Sequence, residues 1–181
     1  MVLPVTYDDI DILTNARVRV RTGDKVGIFD TLTGRFEVPI SFGNVAPITD
    51  ILYLVQSDGR CGMFDSIEGA LVVPEQFDQV EMATDSLFRV RVGTLWGMFD
   101  VLTREFVVPI AYQTINRLSD SQFKVTSDDF LCGVYSSKTG RLIVPTEYQD
   151  VVRLTETLFE VHLGPRRGLF NTITHSAIDW K

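Results

Sequence analysis

One short pattern is written five times along this chain of 181 residues. Its fullest copy is Leu95-Trp96-Gly97-Met98-Phe99-Asp100, with relatives at Lys25–Asp30, Arg60–Asp65, 131–136 and Arg166–Asn171. The glycines fall at Gly27, Gly62, Gly97, Gly133 and Gly168, in steps of 35, 35, 36 and 35 residues. A unit of that length cannot bury an apolar face by itself, so the units have to stack on one another as a quasi-one-dimensional array. No other feature restricts the fold as strongly.

Each unit opens with a short alternating stretch: Val18-Arg19-Val20, Tyr53-Leu54-Val55, Phe88-Arg89-Val90, Phe123-Lys124-Val125 and Phe159-Glu160-Val161. The outer positions are apolar and the middle one is usually charged, which is the period-2 signature of a strand with one buried face. A polar turn such as Thr22-Gly23-Asp24 then leads into the glycine-bearing strand, and the two read as a β-hairpin. A second turn follows, typified by Asp30-Thr31-Leu32-Thr33-Gly34. Its Asp can accept bonds from backbone groups two residues on, and its Gly tolerates positive φ. Arg104 and His175 replace that Gly in two units, where a less ideal or differently shaped turn is expected.

A third strand carries Val38-Pro39, Val73-Pro74, Val108-Pro109 and Val144-Pro145, with Pro4 in the same series. Proline lacks a ladder donor and marks an edge, a strand end or a bulge. Three residues later comes an aromatic (Tyr7, Phe42, Phe77, Tyr112, Tyr148), then an aliphatic (Ile10, Val45, Val80, Ile115, Val151). A polar stop at Asn15, Asp50, Asp85, Asp120 or Glu156 closes the unit. No stretch reads as a helix. The expectation is an all-β domain over 1–181 with about three strands in each of five units. They are framed as 1–15 with 159–181, 16–50, 51–85, 86–120 and 121–156. Because the chain is cut inside the unit, the N-terminal strand, 1–10, is expected to complete the last unit. That arrangement closes a five-bladed, propeller-like ring and removes exposed edges. An open β-repeat array is the alternative.

The order strand, turn, Trp-Gly-x-Phe-Asp, Thr-Gly turn, Val-Pro, Tyr/Phe-x-x-Ile resembles the WG repeat family, found in many bacterial proteins, over essentially the whole chain. The signature Trp stands only at Trp96, with Val26, Cys61, Cys132 and Arg167 in its place elsewhere. The resemblance implies a β-repeat scaffold and brings no catalytic residue set with it.

The formal net charge of −7 and pI near 4.8 argue against nucleic acid or an anionic membrane as partner. Cys61 and Cys132 are too few for a disulfide scaffold and read as buried hydrophobes of a reducing compartment. Met1-Val2-Leu3-Pro4 does not open a signal peptide, and no apolar run approaches the ~20 residues of a membrane span. A cytoplasmic monomer is expected. Asp30, Asp65, Asp100 and Asn171 recur once per unit, too far apart to share a metal ion, so they are read as turn caps. His162 and His175 have no ligand-spaced neighbours and no nucleophile beside them. With no glycine-rich phosphate loop either, no catalytic residue, metal site or cofactor is expected.

The basic residues are the candidate binding site. Arg17, Arg19 and Arg21 share one strand face, Arg89 and Arg91 repeat the pattern two units later, and Lys124 occupies the same slot. Two readings stand side by side: ion pairs to acidic residues of neighbouring units, or a patch for an acidic partner, since Arg is favoured at interface hot spots. Trp180 is expected to seal the closure seam or meet a partner. The functional expectation is a non-enzymatic scaffold for an unidentified protein, in one version an inhibitory or immunity protein against a bacterial toxin. A carbohydrate or small-ligand binding module is the alternative.

Overall fold

The computed structural model describes residues 6–179, which form five four-stranded antiparallel sheets. The first sheet comprises β1 (Asp9–Ile12), β2 (Arg17–Thr22), β3 (Lys25–Asp30) and β4 (Arg35–Phe42). The second is β5 (Asn44–Pro47), β6 (Leu52–Ser57), β7 (Arg60–Asp65) and β8 (Ala70–Phe77). The third is β9 (Gln79–Met82), β10 (Leu87–Val92), β11 (Leu95–Asp100) and β12 (Glu105–Tyr112). The fourth is β13 (Thr114–Arg117), β14 (Gln122–Thr126), β15 (Cys132–Ser136) and β16 (Arg141–Tyr148). The fifth is β17 (Asp150–Arg153), β18 (Leu158–Leu163), β19 (Arg166–Asn171) and β20 (Ser176–Asp179). In every sheet the strands lie side by side in chain order. Among the described residues, no helix is long and apolar enough to cross a membrane.

Two expectations are corrected. The units hold four strands rather than three. The additional strand is the stretch around Ile10, Val45, Val80, Ile115 and Val151, which the sequence frame attached to the preceding strand. A one-residue bend at Asp8, Gly43, Asp78, Gln113 or Gln149 breaks the ladder there. The aliphatic beyond it then pairs forward, as in Ile10↔Val20, Val45↔Val55, Ile115↔Val125 and Val151↔Val161. For the same reason Asp9–Ile12 belongs to the first sheet and does not complete the last one. The fourth place in the fifth sheet is taken by Ser176–Asp179. Residues 1–5, with Pro4, lie outside the described residues.

The repeated glycine has a packing cause. The β3–β4 ladder shifts register between Val26 and Ile28 and again before Phe29. This bulge presses β4 onto Gly27, where a Cβ would lie 2.7 Å from the Val38 carbonyl oxygen and 2.8 Å from the Ile40 nitrogen. The same shift and the same close approach recur at Gly62, Gly97 and Gly133 in β7–β8, β11–β12 and β15–β16, whereas the β19–β20 ladder has no shift and pairs Gly168 directly with Asp179. Pro39, Pro74, Pro109 and Pro145 sit on β4, β8, β12 and β16, each the last strand of its sheet, where a missing donor costs no ladder bond.

The second turn keeps one shape throughout. Gly34, Gly69 and Gly140 adopt φ of 70°, 67° and 61°, and Arg104 and His175 are held in the same left-handed region at 60° and 51°. Of the two expected outcomes, the turn at these two positions is less ideal and not differently shaped. The side chains accept a conformation costing roughly 1–2 kcal/mol for a residue with a Cβ.

The chain divides into two compact units, Met1–Val80 and Glu81–Lys181. In the first, Val26, Ile28, Val38 and Phe42 of the first sheet form one core with Val45, Tyr53, Val55 and Phe64 of the second. In the second, Leu87, Met98 and Val108 cluster with Ile115, Phe123 and Val125. A further cluster joins Cys132, Val134 and Val144 to Val151, Phe159, Val161 and Phe170. Each core thus lies between consecutive sheets, as stacking of one-sided units requires.

Candidate functional site

Most of the basic residues picked out in the sequence are engaged within the protein. In the second unit, Arg89 forms an ion pair with Glu81 and donates to the Ile115 carbonyl, 3.0 Å away. Its guanidinium lies 5.4 Å from the centre of the Trp96 ring, and that of Arg91 lies 5.6 Å from it. Arg91 also donates to the Gly93 carbonyl at 3.1 Å. Lys124 is paired with Asp150, whose carboxyl it holds below the usual aspartate range by hydrogen bonding. In the fifth sheet this slot is inverted: Glu160 replaces the cation and accepts from His162 at 2.7 Å and Arg167 at 3.2 Å.

In the first unit, Arg19 and Arg21 lie directly opposite Asp11 and Asp9 of β1. Arg17 departs from its counterparts Leu52, Leu87, Gln122 and Leu158. Its Nε donates to Glu37 Oε2 at 2.7 Å, and another guanidinium nitrogen donates to the Asp50 carbonyl at 2.8 Å. The Tyr53 hydroxyl, from the second sheet, donates to the same Glu37 oxygen. Tyr53 is completely buried, and burial first, then the Glu37 contact, pushes its hydroxyl well above the usual tyrosine range. Of Arg17, Arg19 and Arg21, the first is tied to Glu37 and Asp50, while Arg19 and Arg21 stand across the ladder from aspartates of β1. Trp180 lies outside the described residues.

The structure shows a different recurring surface feature, at the turn between the third and fourth strands of each sheet. Asp30 Oδ1 accepts from the backbone nitrogens of Leu32 at 2.7 Å and Thr33 at 3.3 Å. Asp65 does the same for Ile67 at 2.8 Å, Asp100 for Leu102 at 2.9 Å, and Asn171 for Ile173 at 2.8 Å. The cap tightens the turn and leaves its apex residue projecting into solvent. Those apex residues are aliphatic: Leu32, Ile67, Leu102 and Ile173 are 73–82% exposed, and Lys138 stands in the fourth copy. Behind them on the fourth strand lie the part-exposed Phe36, Leu71, Phe106 and Leu142.

Backbone bonds tie each apex turn to the loop between the first and second strands. Examples are Thr31 to Ala16 at 2.8 Å, Ser66 to Ile51 at 2.9 Å and Val101 to Ser86 at 3.0 Å. That loop carries the polar stop: Asn15, Asp50, Asp85, Asp120 or Glu156. One end of a sheet therefore presents an aliphatic apex beside carboxylates. Sequence reasoning missed this surface, although its signal was present: an aliphatic five residues after the repeated glycine, inside an otherwise polar turn.

Among the described residues, no group of His, Cys, Asp and Glu is arranged to hold a metal ion. Cys61 and Cys132 are buried free thiols. Burial raises the pKa of Cys61, the opposite of what a reactive thiolate needs.

The chain matches no protein-family model and no curated protein. Among solved structures it is similar to the computationally designed Ika8 protein, at 11% identity and a TM-score of 0.39, covering 93% of this chain and 60% of that one. Hsv2 of Kluyveromyces lactis, with its complete loop 6CD, is 15% identical over 98% of this chain and 73% of its own, with a TM-score of 0.39. BamB of Moraxella catarrhalis is 15% identical over 92% of this chain and 58% of its own, with a TM-score of 0.38. This chain thus spans about three fifths of the length of Ika8.

Proposed function

We propose that this protein is a WG-type β-repeat scaffold that catalyses no reaction itself and binds a protein partner through the apex ends of its sheets. One observation carries the reading: four of five apex turns hold a large aliphatic side chain at 73–82% exposure, in the same place and beside carboxylates. A single exposed aliphatic on a soluble protein means nothing, but the same costly exposure kept in successive copies calls for a cover. With a net charge of −7, the partner that suits this surface is basic, because complementary charge raises the encounter rate. An inhibitory or immunity protein that neutralises a basic bacterial toxin in the cytoplasm is the concrete version of this reading. The scaffold itself is proposed to close into a five-bladed ring, which small-angle scattering would test against the more extended profile of an open array.

The function is tested with Leu32, Ile67, Leu102 and Ile173 all changed to Ser. Wild-type protein and the variant serve as baits in a lysate of the native host. The partner is expected to be retained by the wild type and lost by a variant that keeps its far-UV spectrum. Equal recovery of every partner by both baits would sink the apex reading.

A further inference from the structure

The hairpin turns between the second and third strands lie at the opposite end of each sheet from the apex turns, since the third strand runs from one to the other. In the first unit their tips are polar: Thr22-Gly23-Asp24 and Ser57-Asp58-Gly59. In the second unit each tip carries an exposed apolar residue. Val92, Phe130 and Leu163, of the third, fourth and fifth sheets, are 41%, 77% and 56% exposed. The same hairpin closes with polar residues in the first two sheets, so the fold does not require apolar ones here.

Phe130 is the least expected of the three. The extra residue of its repeat falls in this turn: residues 127–131 separate the paired Thr126 and Cys132, where only 92–95 separate Arg91 and Trp96. Phe130 adopts φ of 61°, in the left-handed region where the neighbouring turns place Gly93 and Gly164. Gly or Asn would sit there at lower cost than a bulky aromatic. The turn is nevertheless firmly tied. Phe130 N donates to the Ser127 carbonyl at 3.0 Å, Ser127 N to the Leu131 carbonyl at 2.8 Å, and Gln113 Nε2 to Asp128 Oδ1 at 2.6 Å. The ring is thus presented from a fixed support, which lowers the ordering cost of a contact. Charge at these tips is segregated. Asp128 and Asp129 adjoin Phe130, and Arg166 stands across its hairpin from Leu163. All three charged residues are exposed, and none forms an ion pair among the described residues.

We propose that this end of the second unit is a self-association surface whose occupant is a second copy of the chain. About a two-fold axis between the tips of the fourth and fifth sheets, the acidic fourth tip of each copy lies against the basic fifth tip of the other. Each Phe130 ring then covers the other copy's Leu163, and each Arg166 pairs with the carboxylates beside that ring. One patch carries both halves of the complement, so the pair closes and does not run on into a filament. An anionic membrane would be repelled by Asp128 and Asp129, whereas the turned-over copy matches both signs at once. The apex turns of the second unit face away from this contact. A dimer of this kind therefore offers a protein partner two such surfaces, and binding at both would gain avidity.

Sedimentation velocity of the whole protein tests this, from about 10 µM to about 1 mM, the range in which a small interface associates. A monomer–dimer equilibrium is expected, with monomer at the dilute end. Phe130→Asn should weaken it by about tenfold or more, as loss of an aromatic anchor implies. The same change should raise the urea midpoint of dilute protein, because Asn tolerates the left-handed region. A lowered midpoint would make the ring a structural part of its turn and overturn the proposal. Charge reversal then identifies the contact. Arg166→Glu, and separately Asp128→Asn with Asp129→Lys, should each weaken self-association; Asn at position 128 keeps the acceptor for Gln113. An equimolar mixture of the two variants should restore it, since both tip contacts then join opposite charges. A wild type that stays monomeric throughout, or a mixture no tighter than its components, would also overturn the proposal. Neither result bears on the lysate experiment with the apex residues, so the two readings fail separately.

Discussion

The contact between the first and second sheets and the contact between the third and fourth are built from the same three repeat positions with opposite chemistry. In the first, the positions are Arg17, Glu37 and Tyr53, joined by hydrogen bonds to one carboxylate oxygen. In the other, they are Leu87, Val107 and Phe123, members of one hydrophobic cluster. Both seams hold the same backbone arrangement, so the fold does not require the polar version. A buried ion pair gains little over well-packed apolar side chains, because the attraction is offset by desolvation of both partners. The polar seam is thus a feature added to the scaffold.

Breaking the polar seam at its hub should have the largest effect. Glu37→Val leaves the Arg17 guanidinium and the buried Tyr53 hydroxyl without their acceptor, and urea denaturation should report a loss of about 2–4 kcal/mol. Converting all three positions to their third-seam identities (Arg17→Leu, Glu37→Val, Tyr53→Phe) should restore most of that loss. A triple variant as unstable as the single one would show that the two seams are not interchangeable. The reverse experiment is Phe123→Tyr, which places a hydroxyl in the apolar seam with no carboxylate opposite and should cost about 1–3 kcal/mol.

Tyr53→Phe removes a single hydrogen bond and should cost about 1 kcal/mol at neutral pH. Its signature is the pH dependence. The folded state holds Tyr53 protonated above its ordinary pKa of 10.0, so its contribution is complete below that pH and is lost as pH rises further. Urea midpoints measured upward from about pH 8 should fall more steeply in the wild type than in the variant. The smallest effect is expected for Asp150→Asn, which breaks the pair with Lys124 at the contact of the fourth and fifth sheets. It should cost at most about 1 kcal/mol near neutrality, given the partial exposure of the pair. The Asp150 pKa is lowered on folding from 3.8, so its contribution is present above that value and is lost as pH falls below it. Wild type and variant should therefore converge in acid.

The repeat, the strand alternation and the capped turns were legible in the sequence because each depends on residues a few positions apart. Asp30, Asp65, Asp100 and Asn171 cap their turns as that local pattern implies. The first strand of each sheet was not legible as separate: four residues with one recurrent aliphatic look like the tail of the preceding strand until the bend between them is seen. The basic stripe was visible, but its partners were not. Glu37 lies 20 residues from Arg17, and Asp150 lies 26 from Lys124, so no local pattern announces either pair. Tyr53 differs from the Phe of its later counterparts by one oxygen, and only the neighbouring sheet shows what that oxygen is for.

The chain-order arrangement of the strands also bears on how the protein is made. Every ladder joins strands that follow one another directly, and in the first sheet a pair as separated as Val26↔Phe42 closes only a short loop. Such local pairing favours rapid formation during synthesis. Yet a finished sheet still exposes its apolar face, because its core partners, such as Tyr53 and Phe64, arrive with the next one. Order is therefore expected to mature one sheet behind the growing end of the chain. A fragment of residues 1–42 should lack a cooperative unfolding transition, and one of residues 1–80 should show it.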